Sequence, residues 1–234
     1  MIPKQFTREN YDTFLEYIYS LQDLNYKQFH SKLIMSDNLI GVRTPELKKI
    51  ASIIAKNDYL SFINYNRKLV YEEKVLHGLV LGYIKTDFND VLKQLDIFIP
   101  FIDNWAINDI VCANLKGFKN NQEAGYTFIL KCLNSDNPWS IRFGLVLLLD
   151  FYINENYIDN ILEICDSLKN DEYYVKMAIA WLLSICYIKY KEKTLEFLKI
   201  TKIDNWTYNK AIQKIIESKR ISNEEKINLK KLKR

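Results

Sequence analysis

Trp105 and Asp109 stand four residues apart in the segment Asp103-Asn-Trp-Ala-Ile-Asn-Asp109. In a helix that separation makes the two side chains neighbours. An indole face and a carboxylate side by side are groups that stabilise positive charge. At about 100° per residue, Ile107, Ile110, Val111 and Phe118 fall on one side as the expected core stripe. Trp105, Asp109, Cys112 and Lys116 fall on the other. Packing alone does not ask for a tryptophan away from the core stripe beside a carboxylate. The packing alternative is a wedge between repeats, with Asp109 as its surface partner.

One further residue joins this pair by position. Arg142 lies six residues after Asp136, as Asp109 lies six after Asp103, and the next two equivalent positions hold Met177 and Lys210. Arg142 is also the only charge between Asp136 and Asp150, so its guanidinium must reach water, an anion or a carboxylate. The structural option is an Arg142–Asp109 salt bridge. Trp181 sits in Met177-Ala-Ile-Ala-Trp181, apolar all round, and taken alone reads as core. Trp139 and Trp206, early in their helices, read as repeat-packing aromatics.

The elements that must position these residues are helices. With 6 glycines and 4 prolines in 234 residues, the chain has about a third of the usual ~12% combined share. Sheets need many tight turns and phosphate loops need glycine clusters, so both are excluded. The periodicity predicts helices at 6–20, 24–34, 44–56, 58–66, 69–85, 88–99, 103–117, 121–133, 137–153, 155–169, 171–188, 190–200, 204–218 and 222–232. Thr44 is expected to cap the third. Helix openings recur at Asp103, Asp136, Asp171 and Asp204, spaced by 33, 35 and 33 residues, each read as an acidic cap followed by aromatics. That period marks an α-solenoid. The expected fold is all-α: a single domain over 1–234, an α-α superhelix of about six HEAT-like helix pairs with a concave surface.

Charge and cysteines narrow the setting. Residues 191–234 carry 13 Lys and Arg against 6 Asp and Glu, while the rest carries 20 against 23. A basic end on a curved stack suits a polyanion, though a solvated lysine-rich end gives the same count. The four cysteines are widely spaced without a CxxC pair, so no metal site is expected. The opening residues do not read as a signal peptide, and the apolar runs are too short to span a bilayer. A reduced cytoplasmic protein without a membrane partner fits.

Four segments, Gly41-Val-Arg-Thr-Pro-Glu, Asp103-Asn-Trp-Ala-Ile-Asn-Asp109, Asn137-Pro-Trp-Ser-Ile-Arg142 and Tyr174-Val-Lys-Met-Ala-Ile-Ala-Trp181, resemble in order and spacing the AlkD-type DNA glycosylases of the DNA alkylation repair family. The resemblance implies a HEAT-like solenoid cradling duplex DNA and cleavage of the glycosidic bond of cationic N3- and N7-alkylated purines. It implies that Asp109 is the catalytic carboxylate, that Trp105 and Trp181 contact the damaged nucleotide's sugar and backbone, and that Arg142 holds a phosphate. Lys176, Lys210 and Lys32 complete the expected DNA contacts. The partner is double-stranded DNA with alkylated bases, met by a nucleoid-associated monomer, and no metal or organic cofactor is implied.

A cationic purine is already a good leaving group, so no acid is needed to protonate it. The sugar needs help instead as it becomes cationic, and a carboxylate near C1′ supplies it. One position departs from the family pattern: Lys32 stands nine residues before Gly41, where excising members have tyrosine. Two other readings stay open, a DNA-binding member that excises nothing and a protein-interaction scaffold.

Overall fold

The computed structural model describes residues 2–234. Among them every regular element is helical. The chain forms two compact units, residues 1–125 and 126–234. No helix among the described residues is long and apolar enough to cross a membrane.

The first unit contains α1 (Arg8–Ser20), α2 (Leu24–Ile34), α3 (Thr44–Ile54), α4 (Tyr59–Tyr65), α5 (Tyr71–Tyr83), α6 (Phe88–Phe98), α7 (Trp105–Cys112) and α8 (Gly117–Asn120). Alternate helices stack: α3 packs on α5, and α5 on α7. Two glycines permit the second contact. A Cβ on Gly78 would meet Val111 Cγ2 at 2.2 Å, and one on Gly82 would meet the Asn114 side chain at 2.4 Å. Both glycines lie on one face of α5, four residues apart, so α7 approaches that face closely.

Consecutive buried carboxylates fix α5 on its other sides. Glu72 accepts from the backbone N–H groups of Ile40 (2.8 Å), Gly41 (2.7 Å) and Val42 (3.1 Å). Glu73 accepts from the Tyr11 hydroxyl at 2.6 Å and from the amides of Leu69 and Val70. Gly41 adopts φ +100°, and a Cβ there would meet Lys27 Cβ at 2.6 Å. The Gly41-Val-Arg-Thr-Pro-Glu segment is thus an anchored turn leading into α3. Arg43, not Thr44, occupies the cap position, and no side chain caps that helix.

The second unit holds α10 (Pro138–Leu147), α11 (Ile158–Ser167), α12 (Tyr173–Lys189), α13 (Lys191–Ile200), α14 (Asn205–Glu217) and α15 (Asn223–Lys230), while α9 (Gln122–Leu133) carries the chain across the boundary. Alternation recurs, with α10 on α12 and α12 on α14. Stacked alternate helices in each unit match the α-α superhelical class expected from the 33- to 35-residue period.

Several details differ from expectation. The helix expected over 103–117 ends at Cys112, because Asn114 turns out of it and donates to the Leu79 carbonyl at 3.1 Å. Lys116 therefore stands outside that helix. The end of the helix expected over 137–153 widens into a π-helical turn at Leu148–Tyr152. The acidic caps hold only for Asp204. Asn104 and Asn137 cap α7 and α10, their amide oxygens accepting the first free N–H groups as a carboxylate would. Glu172 takes the cap position of α12 without a side-chain bond.

Candidate nucleic-acid interface

In the first unit, Trp105 is the first residue of α7 and Asp109 lies one turn on. Both are half-buried. The indole Nε1 donates to the Leu33 carbonyl of α2 at 3.3 Å. Asn108, fully buried, donates through its side-chain amide to Asp109 Oδ1 at 3.1 Å. It also lies 3.8 Å from Cys112 Sγ. Cys112 is itself fully buried and not on an open side with Asp109. Helices in a stack have neighbours on more than one side, which the two-sided projection leaves out. Ile107, Val111 and Phe118 are core as expected, while Ile110 is half-buried.

The start of α7 is held by a second contact. Lys74 of α5 forms an ion pair with Asp103, which also accepts from the Asn104 side chain at 2.9 Å. Lys32 is exposed in the last turn of α2, one residue before the carbonyl that receives the Trp105 indole.

In the second unit, Arg142 is buried, with 5% of its surface exposed. Its Nη1 donates to the Tyr174 carbonyl at 2.7 Å, and the guanidinium lies 6.0 Å from that tyrosine's ring. The cation thus anchors α10 to the first turn of α12. Trp181 is half-buried and belongs to a stripe on α12, Tyr174, Met177, Trp181, Ile185 and Ile188, that is more open than the rest of the helix. The apolar run around it reads as core because its other faces are core.

Lys176 is largely buried between two carboxylates, Asp204 at 3.1 Å and Asp171 at 3.6 Å, with its ammonium 5.8 Å from the Trp206 ring. Lys210 approaches the same ring at 5.6 Å and donates to Gln213 Oε1 at 3.0 Å. The aromatics at these helix starts touch in series. Trp139 lies 5.1 Å from Tyr174, Tyr174 5.1 Å from Tyr173, and Tyr173 5.6 Å from Trp206. Trp139 and Trp206 do link successive repeats, yet Tyr173 and Trp206 remain 55% and 40% exposed.

Sequence reasoning missed Lys214, one turn beyond Lys210 on α14 and half-buried. Burial holds its ammonium below the usual lysine range; Glu217 opposes that shift, and Lys210 and Arg142 add to it. The i, i+4 spacing of two lysines on one helix was the available signal. Asn108 was also missed, although it is a polar residue inside an apolar run.

The unit-one pair can meet positive charge, and unit two gathers cations around exposed aromatics, the combination nucleic acids favour. No curated protein matches the chain. The family described as DNA alkylation repair enzyme matches residues 18–215. That match spans most of the sequence, all of α7, α10 and α12, and α14 as far as Ile215. The chain belongs to the DNA alkylation repair enzyme family.

Proposed function

We propose that the protein is a DNA glycosylase that hydrolyses the N-glycosidic bond of cationic N3- and N7-alkylated purines in duplex DNA. The observation that carries this reading is the Trp105–Asp109 pair on α7. The indole is fixed by a main-chain carbonyl, and the carboxylate is oriented by a buried amide.

As the bond to a cationic purine lengthens, the base leaves as a neutral species and the sugar acquires oxocarbenium character. Asp109 stabilises that charge and orients water for attack at C1′. The attacking water's proton passes to Asp109 or to solvent. Trp105 places its π-face against the sugar, where a developing cation is favoured. Trp181 contributes a second indole from the open stripe of α12. Arg142, Lys210, Lys176 and Lys32 are assigned to the DNA backbone, with Lys176 the weakest of them because two carboxylates already neutralise it. Both units serve one function as a monomer, and no cofactor takes part.

The test is release of N7-methylguanine from duplex DNA. Asp109→Asn should retain DNA binding and lose ~10²-fold or more in release, the scale of one electrostatic stabiliser. Equal release by variant and wild type rejects the assignment. One observation favours a second reading, a member that binds DNA without excision: the exposed Lys32 beside the Trp105 anchor, where the resemblance implies tyrosine in excising members. Wild-type binding without release selects that reading.

A further inference from the structure

We propose that Lys74 is a phosphate-binding residue beside Trp105, whose ammonium passes from the Asp103 carboxylate to a phosphodiester of bound DNA. The inference rests on the DNA-binding reading above and adds a contact that reading does not contain.

A cavity of about 150 Å³ opens in the first unit between the end of α2, the start of α5 and the start of α7. Its wall includes Met35, Ser36, Tyr71, Lys74, Asp103 and Asn104. It has room for a phosphate group. Behind that wall the Tyr71 hydroxyl is buried without a hydrogen-bonding partner. Polar walls of this kind suit a polar occupant.

The Lys74–Asp103 pair is unequal. The lysine side chain is 13% exposed and held by α5, whereas the aspartate is 59% exposed and precedes the cap of α7. A half-solvated ion pair contributes little net stability, and its exposed member is the one free to swing away. Asp103 thus puts an anion where the Lys74 ammonium and the N-terminal dipole of α7 both favour one. A phosphodiester satisfies the same demand with more charge-accepting oxygens. The indole of Trp105 follows two residues after Asp103, so a phosphate at Lys74 would lie next to the nucleotide assigned to Asp109.

The experiment measures duplex affinity by fluorescence anisotropy across a salt series. It compares wild type, Lys74→Gln, Asp103→Asn and the double variant, with Lys74→Arg as the charge-conserving control. Lys74→Gln should weaken binding and lower the log–log salt slope by ~0.9, the value of one phosphate contact. Lys74→Arg should keep the slope. Asp103→Asn should tighten binding severalfold, and that gain should vanish in the Lys74→Gln background. An unchanged slope in Lys74→Gln overturns the proposal, as does an equal Asp103→Asn gain in both backgrounds, which marks a general charge effect. Absence of duplex binding by wild type would instead refute the DNA reading itself.

Discussion

The Trp105 indole donates to the main-chain carbonyl of Leu33, tying the first turn of α7 to the last turn of α2. The ring is therefore oriented by backbone, which cannot rotate away as a side-chain partner could. Asp109, one turn further along α7, inherits the same frame.

That relationship separates the face of the ring from its anchor. Trp105→Phe keeps an aromatic face and loses the hydrogen bond, worth about 1 kcal/mol. Single-turnover release of N7-methylguanine should fall ~5-fold, and Trp105→Ala should fall further. Wild-type rates in both variants would remove the indole from the mechanism.

Arg142 has a structural duty whatever its role with DNA. Replacing it by methionine removes the charged hydrogen bond to the Tyr174 carbonyl, a loss of about 1–3 kcal/mol. The thermal midpoint should drop by a few degrees, at roughly 2–4 °C per kcal/mol for a chain of this size. Salt-dependent DNA binding supplies the second readout. A slope lowered by about 0.9 marks a phosphate contact, and an unchanged slope with the same thermal loss assigns Arg142 to the α10–α12 joint alone.

Acid should weaken the first unit through His77. This histidine is fully buried on α5, both ring nitrogens lack hydrogen-bonding partners, and its ring lies 5.0 Å from Phe98. Burial, with a smaller contribution from Lys68, lowers its pKa to about 3. The unfolded chain takes up this proton near pH 6.5 while the folded chain does not. Stability is therefore complete above about pH 6.5 and falls as pH drops toward 3, by on the order of 1 kcal/mol per pH unit. His77→Phe should flatten the thermal midpoint between pH 6.5 and 5 relative to wild type. Parallel curves would show that other groups govern the acid response.

Helices were legible because apolar periodicity and polar interruptions are local. The segment expected at 24–34 matches α2 at both ends, and the helix expected from 44 begins at Thr44. Long-range contacts were not legible. Cys112 projected onto the same side as Asp109, yet neighbouring helices bury it. Arg142 was read as needing water, an anion or a carboxylate, and the projection gave no sign of the carbonyl it reaches 32 residues away. Lys176 looked available until Asp204 closed on it from the next repeat. Single-helix projection shows which faces are apolar but not what a stacked neighbour offers to a charge.

The three amides collected by Glu72 have a consequence for motion. Ile40, Gly41 and Val42 have no sheet or helix to protect their N–H groups, yet a buried carboxylate engages all three. Their exchange with solvent deuterium requires α5 to leave the turn, so it reports the breathing of the unit rather than the fraying of a loop. The same carboxylate denies α5 any sliding or rotation about its axis. The helix that supports α7 thus behaves as a fixed bearing, and any local opening of the first unit must swing on other segments around it.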